Sequence, residues 1–216
     1  MSARRRSRQR PGLAHERELA REGRRRIAGL DEAGRGAWAG PVVAAAVILD
    51  LAKTSILREV HDSKQLTPRQ REDLYPLILE SSLAHGIGLA GASEIDAAGI
   101  VPATRLAMRR ALDALSPPPD ALIVDALRLP DVDLPQRAFN FADSISLSVA
   151  AASILAKVAR DRMMVGLDTV YAGYGFGRHK GYGTRGHWQA LEELGACSAH
   201  RATFKPVAIM LGALAR

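Results

Sequence analysis

The chain has 216 residues, 47% hydrophobic and 25% charged, enough for one domain with a sizeable core and at most a small appendage. A single cysteine, Cys197, excludes an intrachain disulfide and points to a reducing, cytoplasmic compartment; no apolar stretch is long and charge-free enough to span a bilayer, and the N-terminus lacks the apolar core of a signal peptide. The formal net charge of +7 is local, because residues 1–26 hold ten arginines against three glutamates and the rest of the chain balances twenty bases with twenty acids, so the basic character belongs to a tail that either binds phosphates nonspecifically or solubilises.

Residues 1–12 are expected to be disordered and 15–24 to form a short charged helix, so that 1–26 make a mobile Arg-rich extension ahead of one folded domain over 27–216. Strands are expected at 27–30 and 41–49. A helix starts near Thr67-Pro68, with Thr as N-cap and Pro at the first helical position, and carries Leu74, Leu77 and Ile78 on one face. Residues 86–90 read as a third strand, followed by a short helix around Glu94-Ile95-Asp96. A helix over 102–115 is stopped by Ser116-Pro117-Pro118-Pro119. Ala121-Leu122-Ile123-Val124 ends in Asp125, the pattern of a buried strand, and 137–142 read as a fifth. An alanine-rich helix is expected over 146–165, no regular element in the glycine-rich basic segment 171–186, a helix from Thr184 or His187 to Leu194, and a last one near 207–214. Strands followed by alternating helices and strands argue for a mixed α/β or α+β sheet with helices packed on it.

The richest stretch is Leu30-Asp31-Glu32-Ala33-Gly34-Arg35-Gly36, read as an acidic turn between two strands. Adjacent carboxylates suit a hard divalent cation, and backbone without Cβ atoms suits a phosphodiester. Gly34-Arg35-Gly36-Ala37-Trp38-Ala39 also fits a dinucleotide-loop pattern, but that motif needs a following helix, and Pro41-Val42-Val43-Ala44-Ala45-Ala46 reads as a strand. Asp125 and Asp143 close or follow strands of the same sheet, so four acids can share a pocket. Crowded carboxylates repel unless cations fill the gap, as in two-metal phosphodiesterases. Asp143, just ahead of the long helix, is equally a helix cap.

These residues resemble the motifs of ribonuclease HII, the type 2 ribonucleases H. The opening signature matches at Asp31-Glu32-Ala33-Gly34-Arg35-Gly36, and Asp62-Ser63-Lys64 matches a second motif. A third acid closes a hydrophobic strand at Asp125, and a fourth, Asp143, precedes Ser148-Val149-Ala150-Ala151-Ala152-Ser153-Ile154-Leu155-Ala156-Lys157. The segments Gly175-Phe176, His179-Lys180-Gly181-Tyr182-Gly183-Thr184 and His200-Arg201 complete the series, which runs from about Ile27 to Val207. Two departures stand out: Ala126 replaces the usual Gly after the third acid, and Phe141-Ala142 replaces the usual Lys-Gly before the fourth.

The resemblance implies an α/β, RNase H-like mixed five-stranded sheet flanked by helices, with a small helical C-terminal part over about 187–216. It implies a monomeric endonuclease using Mg²⁺ or Mn²⁺ held by Asp31, Glu32, Asp125 and Asp143. Its substrates would be RNA–DNA hybrids and duplex DNA containing ribonucleotides, cut 5′ of the ribonucleotide to leave 3′-hydroxyl and 5′-phosphate ends. Gly34, Arg35 and Gly36 would sense the 2′-hydroxyl, the group that separates RNA from DNA. Tyr182 would stack at the RNA–DNA junction. Lys64, Lys180, Arg201 and Arg178 would contact phosphates. His187 either touches the nucleic acid or caps a helix, Lys157, Arg160 and Asp161 are candidates for an internal ion pair, and Trp38 reads as core. A transposase or resolvase of the same wider fold would need no 2′-hydroxyl sensor, and a binding protein working through its arginine tail would need no four acids.

Overall fold

A computed structural model describes residues 10–213. The expected disorder of residues 1–9 and the end of the last helix at 214 lie outside the described residues. Five strands form one mixed sheet in the order β3-β2-β1-β4-β5, where β1 is Ile27–Ala33, β2 Val42–Leu49, β3 Ser82–Ala90, β4 Ala121–Asp125 and β5 Gln136–Phe139. The first three run antiparallel as a meander, and β4 and β5 join parallel on the other side of β1. β1 is thus the central strand, and both of its neighbours bear on the site.

Side chains alternate across a pleated sheet, and the two faces carry separate cores. Ala28 and Leu30 of β1 with Val42, Ala44, Ala46 and Ile48 of β2 pack under α4 (Ile100–Asp113), through Ala103, Ala107, Met108 and Ala111. Ala45, Val47 and Leu49 face α2 (Pro68–Glu80) and α5 (Leu147–Val170). The helix α5 lies almost on the backbone of β1: a Cβ at Gly29 would stand 2.3 Å from the carbonyl carbon of Ser148. Any side chain there would lift the helix off the strand.

Several bounds differ from the sequence expectation for visible reasons. The strand β1 continues through both acids to Ala33, because its ladder with β2 runs on to the Ala33–Val43 pair. Asp31 and Glu32 therefore sit in a strand and not in a turn. The strand β3 begins at Ser82, and β5 stops at Phe139 because the chain turns through Phe141, at φ +64°, into a single 3₁₀ turn over Ala142–Ser144. The helix α5 runs to Val170, since Met164 and Leu167 pack on Tyr174 and Phe176. Within 171–186, Phe176–His179 forms one helical turn, α6. Short helices α3 (Ala92–Ala98), α7 (Arg185–Leu194) and α8 (Lys205–Met210) complete the fold.

The short charged helix expected over 15–24 forms as α1, Ala14–Arg21, and it docks on the domain. Leu19 is buried among Ile27, Ala121, Ile123 and Val149. Glu16 is buried as well, and its Oε1 accepts hydrogen bonds from Ser146 Oγ (2.6 Å), Ser148 Oγ (2.7 Å) and the Ser148 N–H (3.0 Å). A carboxylate at the N-terminus of α5 also suits the helix dipole. α1 is therefore a clamp on the start of the longest helix.

Candidate active site

The C-terminal end of β1 and the end of β4 meet at one edge of the sheet. The parallel register pairs Leu30 with Val124, so Asp31 and Asp125 occupy the next rung. Asp31 is buried on the α5 side beside Ser153, and its Oδ1 accepts the Glu32 N–H at 2.7 Å. Glu32, the next residue in the strand, points to the opposite face and pairs with Arg35, Nη1 to Oε1 3.2 Å. Asp125 Oδ1 accepts the Ala142 N–H at 2.7 Å, which ties the turn bearing Asp143 to β4. The expected capping role of Asp143 falls to Ser146, whose Oγ accepts from the Val149 N–H at 3.4 Å. Asp143 instead lies buried in the 3₁₀ turn with Lys64 Nζ 3.7 Å from its Oδ2.

Electrostatics bind these groups into one cluster. Burial, then the charges of Glu32 and Asp125, push Asp31 well above the ordinary carboxylate range. Burial also raises Glu32, against the pull of Arg35. Asp143 is raised to about 6, by burial first and by Asp62 next. Lys64 loses some charge stability to burial, but Asp143, Asp62, Asp31 and Asp125 outweigh it and raise its pKa. Asp62 is thus a fifth acid of the cluster. Sequence reasoning took only the lysine from Asp62-Ser63-Lys64, although the triplet itself displayed the acid. The segment is held to α5 by the Ser63 Oγ–Ser153 Oγ bond of 2.9 Å.

Two buried carboxylate oxygens in this cluster, Glu32 Oε2 and Asp143 Oδ2, lack a hydrogen-bond partner. Buried acceptors are almost always satisfied, and oxygen donors of this kind fit a hard divalent cation such as Mg²⁺ or Mn²⁺. Among the described residues no three His, Cys, Asp or Glu side chains converge closely enough to hold one ion as they stand. The fit rests on the chemistry of the donors, since all are carboxylate oxygens of the kind a hard divalent cation takes.

The departures from the family pattern fall on special backbone. Ala126 has φ +58° and Phe141 φ +64°, a left-handed conformation in which glycine has no Cβ clash to suffer. That accounts for the usual glycine at the position of Ala126.

Beside the acids lies a cradle of buried cations and backbone. Gly34 has φ +94°, and a Cβ there would meet Arg160 Nε at 1.9 Å; at Gly36 a Cβ would meet nothing within 4 Å. The Arg160 guanidinium donates to the carbonyls of Pro41 (2.9 Å), Lys180 (2.9 Å) and Ala39 (3.1 Å), joining the Gly34–Pro41 segment to the tyrosine loop. Arg160 therefore binds carbonyls, while Lys157 pairs with Asp161 at 2.6 Å. Arg201, expected on a phosphate, is 0% exposed; it donates to the carbonyls of Gly40 (3.0 Å) and Arg35 (2.9 Å). A guanidinium with no exposed surface holds the turn and does not reach a phosphate. Lys64 and Arg178 are exposed, and Lys180, at φ +54°, is half-buried with Nζ donating to the Gly177 carbonyl. Tyr182 is half-buried, its ring centroid 5.2 Å from Arg160 Cζ and 5.5 Å from Lys157 Nζ. His187 meets neither expectation. It is fully buried, and the cap of α7 is Thr184 Oγ1, which accepts the His187 N–H at 3.2 Å. Trp38 packs on Gly183 and on the rings of His187 and Trp188.

The family model described as ribonuclease HII matches residues 28–207. The chain is 53% identical over 200 residues to a ribonuclease HII of Chloroflexus aurantiacus, covering 91% of this chain and 94% of the relative. It is 52% identical over 201 residues to one of Geobacillus kaustophilus, covering 93% and 76%. Among solved structures it is similar to the ribonuclease H2 of Pyrococcus horikoshii, with TM-score 0.71, 27% identity and 88% and 98% of the two chains covered. It is also similar to the ribonuclease HII in a complex with PCNA from Archaeoglobus fulgidus, with TM-score 0.70, 28% identity and 85% and 96% covered.

Proposed function

Because the chain belongs to the ribonuclease HII family and is therefore a ribonuclease H acting on the RNA of RNA–DNA hybrids, we propose that it also cuts duplex DNA on the 5′ side of single embedded ribonucleotides. The products would carry 3′-hydroxyl and 5′-phosphate ends, and the chain would act as a monomer. The observation that supports the reading is a cluster of acids in which two buried oxygens, Glu32 Oε2 and Asp143 Oδ2, have no hydrogen bond, beside a glycine turn with open backbone. Asp31, Glu32, Asp125 and Asp143 would hold two ions of Mg²⁺ or Mn²⁺. Bound there, such ions supply Lewis acidity to the phosphodiester and to the water that attacks it.

The chain's own residues divide the remaining work. Lys64, exposed and paired with Asp143, neutralises part of the acid cluster and contacts a phosphate. Gly34, Arg35 and Gly36 offer peptide groups to the 2′-hydroxyl, with Gly36 open to close approach and the Arg35 carbonyl steadied by Arg201. Tyr182 offers its ring to the nucleotide at the junction, and Lys180 and Arg178 flank it as cations. Incubating the protein with duplex DNA carrying one ribonucleotide, with and without Mg²⁺, tests the reading. The expected result is a single metal-dependent cut 5′ of the ribonucleotide; cleavage of hybrid alone, or of all-DNA duplex, overturns it.

A further inference from the structure

Three histidines and a cysteine lie behind the tyrosine loop, outside the acid cluster, and their shortest hydrogen bonds set one direction. The Tyr182 carbonyl can only accept, so His187 Nδ1, 3.0 Å away, carries a proton. A neutral imidazole then presents Nε2 as an acceptor, and His200 Nε2, 3.0 Å from it, must donate. His200 Nδ1 is left as an acceptor, which the Cys197 N–H fills at 3.0 Å with Cys197 Sγ at 3.2 Å; the Cys197 carbonyl also lies 3.3 Å from that nitrogen, but it already accepts the His200 N–H at 2.9 Å. The reverse order would set the Nδ1 lone pair of His187 against the Tyr182 carbonyl. His179 follows the same logic: Nε2 donates to the Tyr174 carbonyl at 2.7 Å, and Nδ1 accepts the Gly181 N–H at 3.2 Å. Its ring stacks on His187 with centroids 4.3 Å apart. Burial keeps the chain neutral, lowering His187 to about 4 and His200 in the same direction.

We infer that His187 and His200 are positioning residues for substrate selection, because the chain Cys197 N–H to His200 to His187 to Tyr182 C=O fixes where the Tyr182 ring stands. His179 and Arg160 hold the two preceding residues through the Gly181 N–H and the Lys180 carbonyl. The inference rests on Tyr182 reading the RNA–DNA junction, as proposed above.

The test compares two substitutions in the full-length protein. His187→Asn places an amide donor where Nδ1–H stood, keeping the bond to the Tyr182 carbonyl. His187→Gln places it where Nε2 stood and abandons that carbonyl. On duplex DNA with one ribonucleotide, His187→Gln should lose about tenfold in kcat, with KM little changed, since small misplacements near a reacting centre are costly. His187→Asn should retain most activity, although the smaller side chain lowers Tm more. Packing alone orders the two variants the other way. In a Tyr182→Ala background the difference between them should vanish, as a coupled pair requires. If neither variant folds, ¹⁵N NMR of the unaltered protein decides: His187 as the Nδ1–H tautomer and His200 as the Nε2–H tautomer support the chain, and either opposite tautomer overturns it. If Tyr182→Ala cuts a lone ribonucleotide as well as the unaltered protein, the junction reading fails and the inference with it. If that variant is impaired but Asn and Gln at position 187 perform alike, only the inference fails.

Discussion

The acid cluster and the histidine–arginine cradle are both buried and polar, and they adjoin, yet they are built on opposite principles. In the cradle every histidine nitrogen of His179, His187 and His200 has a partner, and Arg160 is spread over three carbonyls, while Arg201 Nη2 lacks a hydrogen bond. In the acid cluster two buried carboxylate oxygens accept no hydrogen bond, and Asp31, Glu32 and Asp143 are all pushed up in pKa. A network satisfied at nearly every atom is rigid and specifies one geometry; a cluster of like charges with open acceptors favours a cation that completes it. The first suits a surface that must read a sugar. The second suits a site that must take up cations.

The largest effect should come from removing charge at the acids. Asp31→Asn and Asp125→Asn should each abolish cleavage at saturating Mg²⁺, while thermal melting shows an unchanged or higher Tm, since repulsion falls. An active Asn variant would break the distinction between the two regions. Next comes the cradle. Arg160→Met leaves three carbonyls without a donor, and at roughly 1–3 kcal/mol for each unsatisfied buried group it should cost several kcal/mol in denaturant unfolding. Tyr182→Ala should leave the acids and the fold intact and slow cleavage of a lone ribonucleotide about ten- to a hundredfold, from roughly 1–3 kcal/mol of stacking. The loss should be smaller on a continuous hybrid, which offers many registers; equal losses would show that the ring serves packing only.

Protons sharpen the comparison because the regions respond with opposite sign. The raised acids bind more protons folded than unfolded, so they cost stability as pH rises through their folded values, near 6 for Asp143. His187, lowered to about 4, binds fewer protons folded, so its stability is lost as pH falls from about 6.5 toward that value. Saturating Mg²⁺ should therefore raise Tm more at about pH 8 than at about pH 5.5, as measured by scanning calorimetry. The smallest effect concerns Ala126, at φ +58°. Relief of a left-handed alanine is offset by the unfolded-state freedom of glycine, so Ala126→Gly should stabilise by less than about 1 kcal/mol.

The acid cluster was far more legible in the sequence than the cradle. Asp31, Glu32, Asp125 and Asp143 stand in short motifs at the ends of apolar runs, so local pattern and resemblance find them. Even so, the apolar run of β1 stops at Leu30, and only the ladder to β2 shows that Asp31 and Glu32 are strand residues. The cradle depends on contacts between distant segments. Arg160 reaches Pro41 and Lys180, Arg201 reaches Arg35 and Gly40, and His187 reaches His200. A cation in a basic segment looks like a phosphate ligand until its burial is known. The docking of helix α1 escaped for the same reason: a short charged helix was legible there, but its arginines and glutamates advertise a solvated one, while Leu19 and Glu16 bury it against the domain.

The most direct measurement is Mn²⁺ binding to the unaltered protein and to Asp31→Asn by isothermal titration calorimetry in buffers of different ionisation enthalpy. Carboxylates held partly protonated must shed protons to take up a cation. The account predicts saturable binding to the unaltered protein, proton release that grows as pH is lowered from about 8 to about 6, and loss of both in the variant. Binding that is absent, or that proceeds unchanged in Asp31→Asn, would contradict it.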